Sequence, residues 1–98
     1  MTSGNWPFAD PPNVAVIANR KIVQGHDWIA YVTHDADDGA WQFHTKDAEP
    51  PAEGEAAIVS LEAIFRIDST IAQLADLPLG WHAWRTSTSR RWQRAKMD

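Results

Sequence analysis

The chain has 98 residues, no cysteine and a formal net charge of −4. That length suits one domain burying about 60–70% of its unfolded surface, and the missing thiols exclude disulfides, thiolate catalysis and cysteine-ligated metal centres. Charge is unevenly spread: residues 1–80 hold 12 acidic against 4 Lys/Arg side chains, whereas residues 81–98 hold 1 against 5, a pattern of either an interaction tail or a basic terminal strand folded against an acidic body. The start, Met1 to Pro7, lacks the basic and apolar organisation of a signal peptide, and no apolar run approaches the roughly 20 residues of a membrane span. The expected setting is the cytoplasm, without membrane association.

Residues 1–13 carry Pro7, Pro11 and Pro12 with Gly4, which remove backbone donors and disfavour regular structure. They are expected to form an arm lying on the domain, anchored by Trp6 and Phe8. Residues 14–98 form the domain. Val14-Ala15-Val16-Ile17-Ala18 reads as a buried strand followed by a turn or bulge before Ile22-Val23. Trp28 to Thr33 and Ala40 to Thr45 read as two strands of a hairpin around Asp35-Ala36-Asp37-Asp38-Gly39. Alternation places Trp41, Phe43 and Thr45 on one face, toward the core, and Gln42 and His44 on the other.

Residues 46–55 read as an exposed acidic loop. Ala57-Ile58-Val59 is a short strand. Ser60 is placed to cap a helix with Glu62 in its first turn and Leu61, Ile64 and Phe65 along one stripe. Asp68 caps a second short helix with Ile71 and Leu74 inward, ended by Leu77-Pro78-Leu79-Gly80. Trp81 to Ser87 is β-like. Residues 89–97 fit either a returning strand, through Arg91 to Ala95, or a helix capped by Ser89. The fold class is α+β: a single compact domain with a mainly antiparallel sheet and two short consecutive helices.

Two ordered blocks, Asp38-Gly39-Ala40-Trp41-Gln42-Phe43 and Phe65 to Ile71 running on to Leu77-Pro78-Leu79-Gly80, resemble a family of small bacterial domains of unknown function. That family is grouped with predicted immunity proteins of bacterial toxin systems. Its opening strand and short basic motif are matched by Val14 to Lys21. The hydrophobic strand, acidic turn and Gly-Trp-x-Phe-like segment are matched by Trp28 to Phe43, and the remaining order by Ile58 to Arg85. Residues 14–85 are thus covered. Ala40 between Gly39 and Trp41, His44 in place of a second aromatic and Ser69 in place of proline depart from the pattern. The resemblance implies a non-enzymatic role with a protein partner, a toxin in the immunity-type reading, and carries over no catalytic residue.

Candidate chemistry is sparse. His26, Asp27, His34 and His44 are the available metal ligands, with no motif spacing. Asp35, Asp37 and Asp38 lack the calcium-loop pattern because Gly39 and Ala40 fall at its fifth and sixth positions. Phosphate-loop, dinucleotide and nucleophile-elbow glycine patterns are absent, and no cofactor is expected. The leading reading is a protein-binding module whose partner surface comprises Asp35, Asp37, Asp38, Glu53, Glu55, Trp84 and Arg85, its acidic loops suited to a basic partner. A second reading places a small-ligand or enzymatic pocket beside Trp41, His44 and Trp84. A third is nucleic-acid binding through Trp81, Trp84, Arg85, Arg90, Arg91, Trp92 and Arg94, disfavoured by the acidic body.

Overall fold

The structure, a computed structural model, describes residues 6–46 and 54–97. Six strands, β1 (Ala15–Asn19), β2 (Tyr31–His34), β3 (Trp41–His44), β4 (Ala56–Ser60), β5 (Trp81–Trp84) and β6 (Gln93–Lys96), form one sheet in the order β4-β1-β3-β2-β5-β6. Every neighbouring pair is antiparallel except β1 with β3. Helix α1 (Arg20–Val23), helix α2 (Leu61–Ile67) and a 3-10 helix (Ser69–Leu74) complete the chain. The α+β reading holds.

Local chemistry explains the elements. The Asn19 side chain accepts from Lys21 N and nucleates a single helical turn, where the sequence suggested a turn or bulge. Ser60 Oγ accepts from Ala63 N to cap α2, and Asp68 Oδ1 accepts from Thr70 N to cap the 3-10 helix, as expected for residues whose short side chains satisfy orphan helix amides. The β2–β3 turn closes with Asp35 N donating to Ala40 O and Gly39 N to Asp35 O. Gly39 sits there at φ +73°, a conformation that costs glycine least.

The helical alternative for residues 89–97 is corrected. Gln93–Lys96 pairs with β5, Ala83 opposite Arg94 and Trp84 opposite Gln93. Backbone pairing is reinforced from the side chain, because Arg94 donates to Asp76 Oδ1 and to the Gln73 carbonyl. Those partners lie on the helical layer, so an extended backbone reaches them while its neighbours remain on the ladder.

Strand register assigns the two sheet faces. Val16, Ala18, Val32, Trp41, Phe43 and Ala83 lie on one face and join Ile22, Leu61, Ile64, Ile71, Leu74 and Leu77 from the helices and their connections in a single core. Tyr31, Thr33, Gln42, His44, His82 and Trp84 alternate with them and occupy the other face. The helices and the described part of the arm pack on the first face. Phe8 is 6% exposed and meets Trp41 edge-on at 5.5 Å, while Trp6 meets Phe65 edge-on at 5.5 Å and donates from its indole to the Asp10 carbonyl. Asp10 in turn accepts from the Trp41 indole at 2.9 Å. The stretch from Trp6 to Asp10 is therefore part of the core wall. Phe8→Ala is expected to cost about 3 kcal/mol, read as a lowered urea midpoint with an unchanged slope.

Candidate functional site

Arg85 follows β5 on the face of Trp81 and Ala83, so strand alternation turns it inward. It is 4% exposed. Its Nε donates to the Ile29 carbonyl at 2.9 Å, Nη1 to Thr70 Oγ1 at 3.0 Å and Nη2 to Asp68 Oδ2 at 2.6 Å. The Trp92 ring lies 4.2 Å from the guanidinium carbon and the Trp28 ring 5.9 Å. A buried charge requires pairing of this kind, because desolvation of an unpartnered guanidinium would exceed any gain from packing. Arg85 is thus a structural clasp between sheet and helical layer, its guanidinium engaged by Ile29, Thr70 and Asp68.

At Asp68, burial alone would raise the carboxyl pKa. Hydrogen bonds from the Thr70 hydroxyl, Arg85 and the Thr70 amide, together with the charge of Arg85, outweigh it and hold the group below its usual range. Its contribution to stability is therefore complete above the unfolded value near 3.8 and is lost as pH falls through the lower folded value.

The open face carries the remaining polar chemistry. Across one row of the sheet His44, Tyr31 and Trp84 stand side by side. In the next row Gln42, Thr33 and His82 do so. The Tyr31 hydroxyl and His82 Nδ1 share a hydrogen bond of 2.7 Å, and the Tyr31 and His82 rings meet edge-on at 5.5 Å. His82 also meets Trp84 edge-on at 5.2 Å. Along β3, Gln42 donates from Nε2 to Asp35 Oδ2 at 2.6 Å, and its Oε1 lies 3.2 Å from His44 Nε2. Burial lowers the His44 pKa, opposed by the Asp35 charge. Burial and then Asp35 raise that of Tyr31. Both directions favour the uncharged forms of His44 and Tyr31, two rings with hydrogen-bonding edges.

Beside this row lies a concavity of about 540 Å³ lined by Trp28, Ala30, Tyr31, Thr45, Lys46, Trp84, Arg85 and Thr86. Trp84 belongs to it as the sequence suggested, but Trp41 does not. Trp41 is 2% exposed on the covered face, stacked on His34 at 3.9 Å, so the grouping of Trp41 with His44 and Trp84 is corrected. Alternation separates them: Trp41 and His44 are three residues apart on one strand and point to opposite faces.

The other sequence candidates are divided between the two ends of the sheet. Asp35, Asp37 and Asp38 form the β2–β3 turn, with Asp37 and Asp38 exposed and Asp38 Oδ1 accepting from Ala40 N. Glu55 precedes β4 at the opposite end, the end of Tyr31, His44 and Trp84. Glu53 lies outside the described residues. His34 and His44, expected on paired strands, lie on opposite faces; His34 Nδ1 is 2.7 Å from the Leu77 carbonyl. Among the described residues no group of three or more His, Cys, Asp or Glu side chains is placed to hold a metal ion, and no helix is long and apolar enough to cross a membrane.

The sequence reading missed Tyr31, Trp28 and His82. Tyr31 and His82 were legible as the out-facing members of strands whose in-facing members are Val32 and Ala83; nothing local marks Trp28. No family model, curated protein or solved structure matches the chain.

Arg85→Ala is expected to cost about 3–5 kcal/mol by stranding Asp68. Asp68→Asn should cost about 2 kcal/mol near neutral pH, with the gap to wild type narrowing as pH falls below the unfolded value near 3.8 and through the lower folded value. Urea denaturation across that pH range checks the pair. An NMR titration should place the His44 imidazole below 6.5, and Asp35→Asn should lower it further by removing the opposing charge.

Proposed function

We propose that the chain is a non-enzymatic protein-binding module of the immunity type, holding a basic protein partner such as a toxin against the open face of its sheet. The observation that carries this reading is the ring-rich row His44, Tyr31 and Trp84, flanked by His82, on the sheet face away from the helices and arm. Aromatic side chains that are large, stiff and hydrogen-bond capable are the usual energetic centres of protein interfaces. The exposed Asp37 and Asp38 at the rim of the sheet supply a negative field that favours encounter with a cationic surface. The order of motifs over residues 14–85, which resembles that of the immunity-protein group, supports the same reading, and the setting proposed with it is the cytoplasm.

This reading moves the binding energy away from the surface first suggested by the sequence. Arg85 has no role in it, and the acidic residues act on rate rather than as anchors. The concavity beside Trp28, Tyr31 and Trp84 favours a second reading, a small-ligand site of mixed aromatic and cationic lining with Lys46 at its edge.

Affinity capture from lysate of the producing cell, with nuclease present, should retain one stoichiometric protein. Tyr31→Ala and Trp84→Ala should each weaken it roughly 30-fold or more. Charge reversal at Asp37 and Asp38 should slow association and flatten its salt dependence. A partner indifferent to Tyr31 and Trp84 overturns the surface, retention that depends on nucleic acid favours the nucleic-acid reading, and capture of nothing favours the small ligand.

A further inference from the structure

The sheet has two outer strands, and they are built differently. Strand β6 carries Arg94 and Lys96, cationic residues of the kind that blunt an edge against further pairing. Strand β4, Ala56-Ala57-Ile58-Val59-Ser60, carries no charge and no proline, and its central Ile58 is 77% exposed.

The hydrogen-bond phase of β4 is fixed by its neighbour. Arg20 N donates to the Glu55 carbonyl and Leu61 N to the Val14 carbonyl. In an antiparallel ladder alternate residues address the same neighbour. Glu55, Ala57, Val59 and Leu61 therefore turn their backbone groups toward β1, and Ala56, Ile58 and Ser60 turn theirs to the outer edge. The Ala56 carbonyl takes one bond from Arg20 Nη2 at 3.3 Å, which leaves a second lone pair, and the Ser60 carbonyl opens helix α2. The N–H and C=O of Ile58 stand at the centre of the outer edge.

We propose that this edge binds a second copy of the chain, β4 against β4, antiparallel about a two-fold axis at Ile58, which joins the two sheets into one of twelve strands. The arrangement is self-complementary. The two Ile58 residues exchange both N–H to C=O bonds, and Ser60 N–H of each copy meets the Ala56 carbonyl of the other. On the covered face Ala57 opposes Val59 of the second copy, a small residue against a larger one. On the open face Ile17, which neighbours Ile58 within the chain, continues a row of four isoleucines across the axis. No like charges are opposed within the strand, whereas β6 paired with itself would bring its cations together. This inference is independent of the partner proposed for the open face, and the experiment reads oligomeric state alone.

Sedimentation equilibrium from micromolar to millimolar concentration should show the chain of 11.0 kDa passing to twice that mass. Ile58→Lys and Ile58→Glu, which place like charges directly opposite at the axis, should each remain monomeric with an unchanged circular dichroism spectrum. Their equimolar mixture should recover the dimer. Ile58→Pro, which removes the outward N–H at the axis, should also remain monomeric. A wild type at single-chain mass throughout, a dimer that survives these substitutions, or a mixture that stays monomeric overturns the proposal.

Discussion

A guanidinium buried where a sheet meets its helical layer cannot be left unpaired, and the need to satisfy Arg85 organises much of this molecule. Its three hydrogen bonds draw on the segment before β2 through Ile29, on the connection between the two helices through Asp68, and on the 3-10 helix through Thr70. The ring of Trp92 then lies against the guanidinium and leads the chain into β6. One side chain therefore sets the distance between layers, the course of the loop carrying Trp28 and the entry of the last strand. Such a cluster contributes less by net energy than by excluding alternatives, because any other arrangement strands either a cation or a carboxylate in an apolar setting.

The charge asymmetry of the sequence is resolved in the same way. Two of the five basic residues after residue 80 are committed to carboxylates of the acidic body, Arg85 to Asp68 and Arg94 to Asp76. Their weights differ. The first pair is buried on the arginine side and structural, whereas the second leaves its carboxylate 82% exposed, where water and salt screen most of the attraction.

Much of the fold was legible because its signals are local. The period of two in Trp41-Gln42-Phe43-His44-Thr45 places each side chain correctly, and Ser60 and Asp68 announce their helices by capping chemistry that needs only three or four residues. What escaped reading is non-local. The parallel pairing of β1 with β3 leaves no trace in either strand's periodicity. Arg85 amid tryptophans resembles a recognition surface until Asp68, seventeen residues earlier, is known to lie against it. Grouping Trp41 with His44 and Trp84 ran against the alternation already legible along β3, and the pairing of β2 with β5 that sets Trp84 beside Tyr31 is non-local. The concavity joins three segments distant in sequence, so only Trp84 of its aromatic wall could be named from the chain alone.

The sheet separates two kinds of position residue by residue. Along β3 the in-facing Trp41 and Phe43 are buried and the out-facing Gln42 and His44 are half-exposed, and β2 and β5 follow the same alternation except that the out-facing Thr33 is also buried. Replacements at in-facing sites disturb packing, whereas exposed positions away from special contacts usually change stability by no more than about 0.5 kcal/mol. A chain built on this alternation can change the chemistry of its open face at Gln42, His44 and Trp84, and with it what the face recognises, while Phe43 and Ala83, one peptide away, keep the fold in place.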